Sequence, residues 1–131
     1  MTNHSLRYQT LKAAARTAAA EGHAVEAQAI FERVAQLIAE KFGIECMEYA
    51  LCMHELADLC AGQKTWSMAE QHYRSALEVY FRDLPETAPA IAMILRGLAE
   101  VRRAQGDLAG AKRLEQDAGT RLVQRLKDSA P

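Results

Sequence analysis

The sequence predicts an all-α protein, an α-solenoid of three antiparallel helix hairpins, with six helices in a single domain over residues 1–131. Three observations predict it. Alanine is abundant, β-branched residues are sparse and prolines are few, which favours helix over strand. Apolar residues recur at steps of three and four, the period of one helix face. The whole pattern then repeats three times at a fixed 42-residue spacing.

The repeat is visible in three segments that align without a gap. They are AAARTAAAEGHAVEAQAIFERV around Ala27, LADLCAGQKTWSMAEQHYRSAL around Ala69, and LAEVRRAQGDLAGAKRLEQDAG around Ala111. Leu56 and Ala57 recur as Leu98 and Ala99, and upstream as Ala14 and Ala15. Met53 recurs as Leu95 and Leu11. Tyr73 corresponds to Phe31 and Glu115, Ala76 to Val34 and Ala118, and Tyr80 to Ile38 and Leu122. Gly22 and Gly106 share one slot, which Lys64 fills in the middle unit. The units run over about 7–46, 47–88 and 89–127.

Each unit reads as two helices, expected at about 6–21, 24–42, 46–62, 66–82, 89–105 and 108–126. The first helix is Ala-rich and lacks an N-terminal cap. The third lines up Tyr49, Met53, Leu56, Ala57 and Cys60, and the fourth Trp66, Ala69, Tyr73, Ala76, Leu77 and Tyr80. Between these two, GQKT is a short polar turn with Gly62 as the expected stop. Ser67 and Glu70 have capping-box spacing, with Thr65 as a competing cap. Gly106 ends the fifth helix and Asp107 caps the sixth. Phe42-Gly43-Ile44 separates units one and two. Residues 83–89 separate units two and three, where Pro85 and Pro89 disfavour helix at the residues before them. Residues 1–5 and 127–131 are expected to be loose.

Composition narrows the function. Net charge is −1 and the pI near 6.4, so no global basic field exists to hold a nucleic acid. No apolar run approaches the roughly 20 residues that span a bilayer. The N-terminus lacks the apolar stretch of a secretory signal. Cys46, Cys52 and Cys60 are odd in number and show no metal-type spacing. They read as reduced, mostly buried thiols of a cytoplasmic protein.

These residues resemble the tetratricopeptide repeat family. Its pattern of a large residue, Leu-Gly and Tyr on one helix, then Ala-x-x-x-Phe and Ala on the next, is met by Met53, Leu56, Ala57, Cys60, Ala69, Tyr73 and Ala76. The other units follow with Leu11, Ala14, Ala15, Ala18, Ala27, Phe31 and Val34, and with Leu95, Leu98, Ala99, Arg102, Ala111, Glu115 and Ala118. The period is longer than the usual repeat of about 34 residues and is similar to the kinesin-light-chain type. Arg102 and Glu115 depart from the pattern. The polar final helix reads as the solubilising end of the array.

The resemblance implies a right-handed solenoid whose first helices line a concave groove that binds a peptide or partner protein. Its groove positions map to Gln9, Lys12 and Arg16, to Leu51, His54 and Asp58, and to Met93, Arg96, Glu100 and Arg103. Counted alone, these carry more basic than acidic groups, which points to an acidic or mixed-charge peptide. The clamp by which some members grip a C-terminal carboxylate is largely missing. Lys12 matches it, but Arg16, Glu55, Met93 and Gly97 do not.

Catalytic chemistry is not expected. His4, His23, His54 and His72 are scattered, and His54 and Asp58 read as a helix-surface pair. Trp66 and Tyr80 read as core. Arg102, Arg103, Lys112 and Arg113 form a small basic cluster without interleaved aromatics. No phosphate loop, nucleophile elbow or zinc-type Cys pair appears, and no cofactor is implied. The sequence thus predicts a protein-interaction adaptor, monomeric or homodimeric. The alternative is a self-assembling structural or regulatory subunit that docks through its Ala-rich first helix.

Overall fold

The structure, a computed structural model, describes residues 3–129, with side chains from residue 6 onward. Six α-helices follow one another: α1 (Asn3–Ala20), α2 (Ala24–Phe42), α3 (Met47–Gly62), α4 (Trp66–Asp83), α5 (Pro89–Ala104) and α6 (Leu108–Asp128). Of the ends expected to be loose, residues 3–5 and 127–128 belong to helices; residues 1–2 and 130–131 lie outside the described residues. Helices α1 and α2, α3 and α4, and α5 and α6 pack as hairpins. Successive hairpins join through α2 on α3 and α4 on α5, and α5 also touches α3. The result is an α-solenoid.

Small residues let the helices of each hairpin approach closely. Ala27, Ala69 and Ala111, at equivalent positions on the second helices, are all 0% exposed. Ala15, Ala57 and Ala99 on the first helices are buried as completely. Larger side chains fill the space around these columns, with Ile38, Leu56, Tyr80, Ile91 and Ile94 among the most deeply buried. Burying a Leu or Ile side chain contributes about 1.5–3 kcal/mol, so this layer carries much of the stability. Trp66, read as core, is partly buried against the same cluster.

Turn chemistry repeats as well. Gly22 and Gly106 adopt φ +84°, the left-handed region that glycine enters without Cβ strain. The middle unit does not use Gly62, the expected stop, which remains helical. Lys64, in the slot of Gly22 and Gly106, takes the left-handed conformation at φ 63°. The expected capping box is absent too. Helix α4 starts at Trp66 with Thr65 as its N-cap residue, and the Thr65 hydroxyl donates back to the Cys60 carbonyl instead of capping. The Glu70 carboxylate instead accepts from Arg74 and Arg102. Asp107 does cap α6, accepting from the Gly110 amide at 2.8 Å.

Arginines of the second helices fasten the loops between units. Arg82 donates to the Glu45 carbonyl, and Arg121 to that of Glu86. Arg102, read as a departure from an apolar position, bridges units two and three through Glu70 at 2.9 and 3.2 Å.

A left-handed lysine is strained by roughly 1–2 kcal/mol. Lys64→Gly is therefore expected to raise stability by about 1 kcal/mol, less the extra chain entropy of glycine. Urea denaturation measures this, and a fall in midpoint would contradict it.

Candidate binding surface

The 42-residue register sets equivalent residues side by side on α1, α3 and α5. One row is Gln9, Leu51 and Met93, all exposed. The next is Lys12, His54 and Arg96, and a third is Arg16, Asp58 and Glu100. First helices touch across this face, α3 on α5, whereas no two second helices pack as closely among the described residues. Wedges of about 410 Å³ and 350 Å³ open between α2 and α4 and between α4 and α6. The first-helix face is thus the inner, shorter side of the arc.

The rows differ in what they present. Lys12 is 4% exposed, and its Nζ lies 3.7 Å from Glu55 Oε1. Arg16 pairs with the same Glu55 oxygen. Glu55 thus holds Lys12 and Arg16 of α1 on α3. Arg103 pairs with Glu115 of α6. The excess of basic groups counted from the ten positions disappears once Glu55 and Glu115 are included. Arg102 is tied to Glu70 as well, so the basic cluster expected around residues 102–113 is half neutralised. Arg96 is exposed and has no ion-pair partner among the described residues.

His54 is not a surface residue. It is 9% exposed, its Nδ1 is 3.1 Å from the Tyr80 hydroxyl, and its ring meets Tyr73 and Tyr80 edge-on. Burial lowers its pKa below the usual imidazole range, against the opposing pull of Asp58 and Glu55. Its Nε2, 3.7 Å from Asp58, therefore faces that carboxylate as a neutral group at pH 7. Asp58 also accepts a 2.6 Å hydrogen bond from the Tyr73 hydroxyl. Burial, then that bond and the nearby Asp58 charge, push the Tyr73 hydroxyl strongly upward. Burial raises Tyr80 to about 12 and Cys52 to about 11, so neither ionises near neutral pH.

Glu55, Tyr73 and Tyr80 are the functional neighbours that motif reading missed. Tyr73 and Tyr80 read as core by period, and their hydroxyls reach the polar layer only because the hairpin is tight. The signal for Glu55 was present, since it shares a row with Ala13 and Gly97 and lies one step from the row of Lys12. At Gly97 a Cβ would stand within 3.0 Å of two ring carbons and the hydroxyl oxygen of Tyr73, so glycine permits α5 to pass over that side chain. Among the described residues no group of three or more His, Cys, Asp or Glu side chains converges as a metal site. No described helix is long and apolar enough to cross a membrane.

Hairpins stacked in register with a ladder of side chains on their inner helices define a helical-repeat protein. The sequence profile of the tetratricopeptide repeat matches residues 6–82, and the chain belongs to that family. No curated protein matches it. Among solved structures it is similar to BtubC (BKLC) from P. vanneervenii, with TM-score 0.86, 19% identity, and coverage of 95% of this chain and 49% of that one. It is also similar to two structures of nearly identical kinesin-light-chain TPR-like repeats from Podosopora anserina. Both have TM-score 0.82, with 20% and 21% identity, and cover 100% of this chain and 62% of theirs. The chain therefore spans 49–62% of the length of these structures, and the likeness is one of fold.

A histidine held neutral by burial destabilises the fold once it must take up a proton. His54 and His72 both have lowered pKa values, each chiefly through burial. Their contribution is complete above the unfolded imidazole value of about 6.5 and is lost as pH falls below it. The melting temperature is expected to drop between about pH 6.5 and 5, and the slope to lessen in His54→Gln. A flat profile for the unmodified chain would contradict this reading.

Proposed function

We propose that the chain is a protein-interaction module that binds a partner peptide or protein along the inner faces of α1, α3 and α5, and that it is not an enzyme. The observation that carries this is the pairing of exposed Leu51 and Met93 with the unpaired Arg96. Leu51 is 41% and Met93 57% exposed, on helices whose opposite sides are buried. An apolar side chain of the partner would rest on Leu51 and Met93, and its carboxylate would reach Arg96. Exposed Gln9, Asp58 and Glu100 would meet donors on the same segment. The partner segment is thus of mixed charge, with a carboxylate for Arg96 and donors for Asp58 and Glu100. Lys12 would support the surface from beneath through Glu55, and Arg16 and Arg103 would border it.

The groups with the most perturbed pKa values support binding over catalysis. His54, Tyr73, Tyr80 and Cys52 point into packing and carry neighbours that fix them; none opens onto a cleft with a second free acid or base. Three unpaired cysteines support a reducing, cytoplasmic setting.

The test is a partner recovered by affinity capture from native lysate and then titrated by calorimetry. Arg96→Glu is expected to weaken it tenfold or more, about 1.4 kcal/mol, without lowering the melting temperature. Unchanged affinity in both Arg96→Glu and Met93→Asp would contradict the surface.

A further inference from the structure

We propose that the cleft between α2 and α4, on the outer side of the array, receives an arginine side chain of a partner protein. The cleft has a volume of about 410 Å³. Ala35, Met53 and Leu56 give it a buried apolar floor, and Glu32, Gln36 and Gln71 an exposed polar rim. Glu32 is its one acidic lining residue, and among the described residues no lysine or arginine lines it. The Glu32 carboxylate accepts from the Gln28 amide at 2.9 Å and has no ion-pair partner among the described residues. Arg33, beside it on α2, donates to Gln36 at 3.0 Å instead. His72, also on the wall, is neutral at pH 7, because burial holds its pKa below the usual imidazole range. Nothing in the cleft therefore opposes a cation.

The 42-residue register shows what this cleft lacks. In the sister cleft between α4 and α6, Arg74 stands in the place of Glu32 and Arg113 in that of Gln71. Arg102 of α5 lines that cleft too, and Glu70 holds both Arg102 and Arg74. Between units one and two the equivalents of Glu70, Arg74 and Arg102 are Gln28, Glu32 and Cys60. The acid has moved one turn along the helix, and the arginine from the following unit is gone. The Glu32 charge acts on both Cys60 and His72, which puts the carboxylate beside the place that Arg102 takes in the sister cleft. There is also more room, since Ala35 and Ala39 stand where α4 has Leu77 and Phe81. An arginine from outside would lay its aliphatic stem on Ala39 and Met53 and donate to the side-chain oxygens of Glu32 and Gln71. The fixed fork of donors on a guanidinium can meet both at once, whereas an ammonium is a point charge.

The cleft lies on the side of the array opposite the inner surface, so the two proposals fail separately. The probe is Nα-acetyl-arginine methylamide, titrated against the full chain and followed by the NMR signals of its methyl groups. Saturable shifts are expected at the Met53, Ala35 and Ala39 methyls, with those of Leu51 and Met93 on the inner face unmoved. Glu32→Gln, at an exposed position, should weaken the binding at least fivefold. Ala39→Phe, which installs the residue that α4 carries at this register, should block it while the fold stays intact. The citrulline derivative, of the same shape without the charge, and the lysine derivative should both bind at least fivefold more weakly. No saturable shift at these three methyls would overturn the proposal. So would equal binding of the citrulline or lysine derivative, or binding that survives either Glu32→Gln or Ala39→Phe undiminished.

Discussion

Everything in this molecule depends on how closely its helices approach. Two columns of alanine, Ala15, Ala57 and Ala99 on the first helices and Ala27, Ala69 and Ala111 on the second, sit where larger side chains would hold the hairpin apart. Interiors pack at the density of organic crystals, so an added methylene at such a point is felt as a shift of the whole helix. The columns recur at one spacing and therefore hold each hairpin to one geometry. A shared geometry is what lets three hairpins stack into a single array and align their inner faces as rows.

Close approach also explains the polar layer beneath the inner face. Tyr73 and Tyr80 are anchored in the core of the second hairpin, yet their hydroxyls reach Asp58 and His54 on α3. Buried hydroxyls and imidazoles are costly unless hydrogen-bonded, and each here finds a partner from the facing helix. The same logic joins α1 to α3, where a buried lysine requires a carboxylate and Glu55 supplies it. The charge that remains accessible is what these internal demands leave over. Arg96 is what is left over: it is exposed and has no ion-pair partner among the described residues.

Much of this was legible in the sequence. The six helices, the hairpin pairing and the Asp107 cap follow from periodicity and the 42-residue offset, because helix packing depends on which face is apolar and the pattern states that directly. Lys64 is instructive. Local residue preference pointed to Gly62 as the stop, while the offset pointed to residue 64, and the offset won because the hairpin geometry is shared by all three units. The charge of the inner face was less legible. Lys12 and Arg16 looked free when the motif positions were counted alone. Their partner lies 43 and 39 residues away on the neighbouring helix, and only the packing of α1 beside α3 reveals it. His54 looked exposed for the same reason, since its burial comes from Tyr73 and Tyr80 on α4.

The central claim is that the alanine columns fix the spacing on which the array depends. Equilibrium unfolding of Ala69→Leu in urea tests it most directly. Overpacking at this site is expected to cost about 1–3 kcal/mol and to broaden the transition as the middle hairpin uncouples from its neighbours. An unchanged midpoint with an equally sharp transition would contradict it.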